Sequence, residues 1–457
     1  MFTLSLPKKL YPWAWALAIF SLALIIYLVQ PIGFKPGAHP PSIFCEKDLG
    51  DELIRGGHSE EVLWRGCLIA SDTKKAFARF VPPDTKQLPC LGCHDGVKAS
   101  TFASIWAKFP QVNPNTGIPE DLATAIRREV VLRYGGVMPN RSDNAVTALY
   151  FYFAAKAKQA NLIFKVDSDT PKTSVSRESA EARCQTKFDA KGWPTGPAAT
   201  HVVMGCNLMV NPMKYVRGPI SQMTKTQMTC ESCHREQGDL ANAASIGHGA
   251  VVLPHMMTSM SQPIRFDRRI LMCFARSLGS FDLGLDATEI LDINFYANWL
   301  AQKAQLPIGQ IPPGRGIPLL YDTLGKGQSF LAGEQVYREY CESCHGFAGN
   351  GGGILVDGRE PPPIAGPNSF TRAASTSEPF RMAGFIYANM PLGATLENPI
   401  LTQQQALDVA AYLSQLGRPS DFTKASPLGV LGNWLWVSGV TKTAHWLHQT
   451  NPDKDTH

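Results

Sequence analysis

Three copies of one short pattern constrain this chain more than any other feature: Cys90, Cys93 and His94 in CLGCH, then Cys230, Cys233 and His234 in CESCH, and Cys341, Cys344 and His345 in CESCH. C-x-x-C-H is the attachment signature of a c-type haem. The two thiols form thioethers with the porphyrin vinyl groups and the adjoining imidazole becomes an axial iron ligand, so all three groups must reach one porphyrin edge. That geometry explains the short spacing. Zinc would need two further ligands per site, which the spacing does not supply. We expect three covalently bound haem c groups, held by six of the 11 cysteines.

Such attachment takes place outside the cytoplasm, and the N-terminus agrees. Residues 11 to 29 form an uncharged apolar run close to the roughly 20 residues that span a bilayer. Lys8 and Lys9 precede it and favour a cytoplasmic N-terminus. No A-x-A-like cleavage site follows before the Pro-rich PIGFKPGAHPP, which favours an uncleaved anchor over a signal peptide. The expected location is a bacterial inner membrane, single-pass, with the haem domains facing the periplasm. A net charge of +5 on 457 residues without a basic run gives no reason to expect nucleic acid.

Composition divides the rest. Pro/Gly-rich or polar stretches at 31–44, 166–181 and 307–318 read as linkers. The expected organisation is an anchor at 1–30, a linker at 31–44, cytochrome c domains at 45–165, 182–306 and 323–420, and an aromatic tail at 421–457 that carries Trp434, Trp436 and Trp446. The first two domains repeat each other: Cys45 and Cys67 are 22 apart, as are Cys184 and Cys206, and a haem cysteine follows 23 and 24 residues later. In an oxidising compartment these pairs read most simply as disulfides, with ligand or free-thiol roles as the alternative. The fold class is all-α. Thr402 and Gln405 form a capping box before the stripe Ala406, Val409, Ala410 and Leu413. Gly333 and Tyr337 lie on an amphipathic stretch running into Cys341. Asp286 and Glu289 read as caps of a helix with the stripe Ile290, Ile293, Ala297 and Leu300. No stretch alternates well enough to form a sheet.

The sixth iron ligand decides potential and reactivity. Met390 in ANMPLG, 45 residues after His345, is the candidate in the third domain. Met138 in GGVMPNR, 44 residues after His94, is the candidate in the first, with His58 or an open site as alternatives. The middle domain has Cys273 in RFDRRILMCFARSLG, among Arg265, Arg268, Arg269 and Arg276. If helical, Arg269, Cys273 and Ser277 share a face, with Arg276 beside it. Cations favour the thiolate. The alternatives are a buried structural cysteine, or a distal ligand from His248, His255, Met256 or Met257.

Arg269, Ile270, Cys273, Arg276 and Ser277 together resemble the active-site segment of di-haem thiosulfate dehydrogenases, and the order of motifs agrees over residues 184–422, through CHG, PPIAGPNSF, NMPLG and DVAAYL. The related di-haem SoxA-type cytochromes share the duplicated units. The resemblance implies that a haem with His and Cys ligands handles thiosulfate, that Cys273 ligates the haem on His234, and that Arg269 and Ser277 line the substrate pocket. Residues 1–183, with the extra haem unit and the anchor, lie outside it. Aligned on Arg127 and Arg128, the first domain has Leu132 in place of Cys273, so it is no second copy of that site. The expected function is thiosulfate oxidation at the Cys273 haem. The acceptor would be a small soluble cytochrome or a membrane respiratory complex. The rival expectation is a non-catalytic electron-transfer subunit of such a complex.

Overall fold

The computed structural model describes residues 43–49, 58–94, 101–167, 175–216, 228–257, 262–280 and 283–419, except 315, 324, 356, 357 and 359. The apolar run at 11–29 and the aromatic tail lie outside these residues. Among the described residues no helix is long and apolar enough to cross a membrane.

Among the described residues, three tightly crossed helix pairs organise the fold. Helix His58–Ser71 packs on Asn144–Gln159, Ala199–Val210 on Thr288–Lys303, and Phe330–Tyr340 on Gln403–Gln415. Each crossing is made at a glycine. A Cβ at Gly66 would overlap the Ala148 carbonyl, one at Gly205 the Asp292 carbonyl, and one at Gly333 the Asp408 carbonyl. Only the absence of a side chain lets the backbones approach this closely. Further helices brace the pairs: Phe102–Lys108 lies on the first, Ile246–Val252 on the second and Pro379–Asn389 on the third.

The apolar stripes read from sequence are buried. Ile290, Ile293, Ala297 and Leu300 sit inside, as do Ala406, Val409, Ala410 and Leu413. The Thr402–Gln405 capping box forms. Both cysteine pairs are disulfides, Cys45–Cys67 and Cys184–Cys206, with Cα–Cα distances of 5.9 and 6.0 Å. Each ties the first helix of its pair to the short helix before it.

Three expectations are corrected. Two small antiparallel ribbons exist, Gln111–Val112 with Pro119–Glu120 and His255–Met257 with Gln262–Ile264, strands too short to show alternation. Asp286 and Glu289 do not cap their helix. Its N-cap is Ala287, without a side-chain bond, because Asp286 turns to Arg141 at 3.3 Å and Glu289 is buried. The stretch at 307–318 is no free linker either. Ile308 is buried and its N–H donates to the Leu162 carbonyl at 2.7 Å, which seats it against the first unit.

The first and middle units share a buried polar seam. Arg141, nine-tenths buried, pairs with Asp121, with Asp267 at 3.4 Å and with Asp286, and donates to Thr124 Oγ1 at 2.9 Å. Arg265 answers from the middle unit, donating to the Arg141 carbonyl at 2.7 Å and binding Asp267 through Nε and Nη2 at 3.1 and 2.8 Å. Asn298 Nδ2 donates to the Phe109 carbonyl at 2.9 Å.

Candidate functional site

The middle C-x-x-C-H is shaped by its own hydroxyls. Thr229 Oγ1 accepts from Ser232 N at 3.2 Å while Ser232 Oγ accepts from Thr229 N at 3.0 Å, which caps the turn Cys230–Ser232. Glu231 points inward, where it accepts from Arg183 Nη1 at 2.5 Å and from the Gln237 backbone and side chain at 3.1 and 2.9 Å. His234 leaves the turn with Nδ1 2.7 Å from the Ala244 carbonyl. A carbonyl partner requires the proton on Nδ1, so Nε2 is the ring nitrogen left for the site.

Cys273 faces that imidazole. It lies on helix Phe266–Arg276, and its thiol is in hydrogen-bonding contact with the His234 side chain. Burial disfavours the thiolate, but Arg269 foremost, then His234 and Arg276, outweigh it and bring the thiol down to about 7. Burial drives the attachment thiols the other way, Cys230 up to about 12 and Cys233 to about 11, with Cys273 close enough to add to both. Among the described residues neither Arg269 nor Arg276 forms an ion pair with a carboxylate. Ser277 lies just past the helix end, its N–H on the Cys273 carbonyl at 2.9 Å. Cys273, Arg269, Arg276 and Ser277 are all only partly buried. His248 sits on helix Ile246–Val252, and His255, Met256 and Met257 on the ribbon strand.

The third unit closes this site from the far side. Thr371 Oγ1 donates to the Arg276 carbonyl and its N–H to the Ser277 carbonyl at 3.4 Å. The Thr376 hydroxyl bonds Cys233. Sequence reasoning missed both threonines, since nothing local marks a residue that acts a hundred positions away.

The other two motifs are built on related lines. His345 Nδ1 lies 2.9 Å from the Pro362 carbonyl, again leaving Nε2 free, and burial favours its neutral form. Tyr337 OH donates to the Gly346 carbonyl at 2.6 Å and locks the motif to its helix. Met390 follows the last residue of helix Pro379–Asn389 and is partly buried. In the first unit the Cys90 N–H donates to Thr73 Oγ1 at 2.9 Å, and Thr73 and Tyr134 hydroxyls reach its sulfur at 3.2 and 3.8 Å. Cys93 is exposed and His94 lies 5.5 Å from Phe102, centroid to centroid. Met138 is half exposed, with Arg127 Nη2 3.4 Å from its sulfur. Leu88, Leu132 and Val137 are also exposed on this unit.

The donor chemistry fits haem c. Two thiols and an imidazole held through Nδ1 recur, and at the middle motif a third sulfur, Cys273, faces that imidazole from across the site. No other cofactor uses this set in this order.

Comparison with known proteins agrees. A thiosulfate dehydrogenase of Allochromatium vinosum is 36% identical over 197 residues, covering 42% of this chain and 70% of the relative. The chain belongs to the thiosulfate dehydrogenase family. Another member, from Thiomonas intermedia, is 28% identical over 270 residues, covering 59% of this chain and 82% of its own. Residues 328–413 match the family model described as cytochrome C oxidase, cbb3-type, subunit III. A solved thiosulfate dehydrogenase (TsdBA) from Marichromatium purpuratum covers 79% of this chain and 74% of its own at 24% identity, with a TM-score of 0.44. As a thiosulfate dehydrogenase relative with a cytochrome c unit, the chain carries covalently bound haem c.

Proposed function

We propose that this protein is a membrane-anchored, three-haem cytochrome c facing the periplasm that oxidises thiosulfate, or a closely related sulfur anion, at the middle site. The observation that carries the reading is the Cys273 thiol facing His234 with Arg269 and Arg276 beside it. The family relatives named thiosulfate dehydrogenase support the substrate.

Joining two thiosulfates makes one new S–S bond and releases two electrons. A bound haem accepts one electron at a time, so a chain with several can hold the pair until an acceptor takes it. The residues of this chain do the rest. Arg269 and Arg276 offer charge-assisted hydrogen bonds to a dianion and offset its repulsion from the Cys273 thiolate. Ser277 adds a hydroxyl at the same helix end. His234, oriented by the Ala244 carbonyl, and Cys273 would hold the middle haem iron. His345 with Met390, and His94 with Met138, would hold the outer haems. Met ligation would give those haems a higher potential than thiolate ligation gives the middle one, a gradient running outward from Cys273. The acceptor is a soluble cytochrome or a respiratory complex.

One observation favours a second reading, an electron-transfer subunit: residues 328–413 resemble a family named for an oxidase subunit. A single experiment separates the two. In Cys273→Ala we expect thiosulfate-dependent haem reduction to disappear while three haems per chain remain by mass. Unchanged reduction in that variant refutes catalysis at Cys273, and no reduction in the wild type moves the assignment to the second reading.

A further inference from the structure

Arg235 follows the ligand His234 directly, yet its side chain reaches into the next unit. Its Nη1 donates to the Asn389 carbonyl at 2.7 Å, and Asn389 immediately precedes Met390. Asn389 is the last residue of helix Pro379–Asn389, so its carbonyl is among those that the helix itself cannot satisfy. The same residue is held a second time. Its Nδ2 donates to the Asn242 carbonyl of the middle unit at 3.1 Å and to Phe385 at 3.0 Å. At 1% exposure Asn389 has no water to replace either bond. Met390 N–H closes on the Ile386 carbonyl at 2.8 Å, so the backbone leading into the methionine is set by the way this helix ends.

A guanidinium at a helix C-terminus is electrostatically favoured, since the terminal carbonyls carry partial negative charge. Here the cation comes from a different unit, 154 positions earlier in the chain. One residue thus touches the backbone beside the third site's distal sulfur and is covalently next to the middle site's imidazole. Thr371 and Thr376 already bind the middle unit from the third, so packing between the units does not depend on Arg235.

We propose that Arg235 is a positioning residue that couples the middle and third haem sites: by capping helix Pro379–Asn389 it sets the position of the Met390 sulfur and places a fixed positive charge beside it. This rests on the assignment of His234 and Met390 as ligands. A fixed cation disfavours the oxidised, more positive haem, and a firmly held thioether favours the reduced one. Both effects raise the third site's potential and draw electrons out of the middle site.

The test uses full-length, three-haem protein and reads the third haem, not turnover. Arg235→Gln should weaken the long-wavelength sulfur-to-iron band of Met ligation. It should also shift the third haem's reduction equilibrium about tenfold toward oxidised, or about 59 mV for one electron, leaving the first haem unchanged. Arg235→Lys, which keeps the charge, should restore most of that potential. Asn389→Ala cuts the Asn242 bond but keeps the carbonyl, and should leave the potential in place. An equal shift in Asn389→Ala would mean general loosening of the interface and would overturn the proposal, as would an unchanged band and potential in Arg235→Gln. Met390→Ala separates the two layers. A band of undiminished intensity there removes the ligand assignment and the proposal together, whereas a band weakened there but intact in Arg235→Gln removes the proposal alone.

Discussion

Replacing Arg141 by Met tests whether the first and middle units are one thermodynamic body. The substitution keeps much of the buried volume and removes the guanidinium that Asp121 and Asp267 share, the two carboxylates being 2% and 1% exposed. Asp267 retains Arg265, but among the described residues the hydrogen bond left to Asp121 is the Thr124 N–H at 2.9 Å. Asp286 is largely exposed and adds little. Removing one partner of a buried pair costs about 3–5 kcal/mol, so Tm should fall by roughly 6–20 °C for a body of 150–250 residues. Far-UV circular dichroism on the haem-loaded protein reads this directly. The pH dependence carries a sign. Burial works to raise the Asp267 carboxyl, but Arg265 and then Arg141 pull it below the ordinary carboxylate value. A depressed carboxyl contributes stability above its unfolded pKa and loses it as the pH falls through the folded one. Wild-type stability should therefore decline below about pH 4, and more steeply than that of the variant. A loss under about 1 kcal/mol at pH 7, the range of surface pairs, would refute the reasoning.

Removing the Cys184–Cys206 bridge by a double Ser substitution should cost about 3 kcal/mol, given its 22-residue loop, read as a lower denaturation midpoint with haem content unchanged. Gly333→Val should disrupt the third helix pair by driving a side chain into the Asp408 carbonyl, at about 1–3 kcal/mol or more; a wild-type melting curve would show that the crossing can relax. Met138→Ala should alter the spectrum of a single haem, and an unchanged spectrum assigns that iron to another residue.

The C-x-x-C-H motifs stand out in the sequence because the chemistry they imply is local: two thiols and an imidazole that reach one porphyrin edge lie within five residues. The disulfides and the stripe from Ala406 to Leu413 were legible too, through an equal spacing and a helical period. Gly66 and Gly205, each directly before a bridged cysteine, carried a repeat signal that the cysteines overshadowed. Other features followed from three-dimensional contact alone. That Asp286 binds Arg141 and leaves its helix uncapped depends on which unit packs beside it. That Thr371 closes the Cys273 helix, and that Arg235 ends the Met390 helix, are bonds between residues 95 and 154 positions apart. Periodicity and spacing report what a residue does to its own helix, whereas an unsatisfied carbonyl at a helix end takes whichever donor folding brings near.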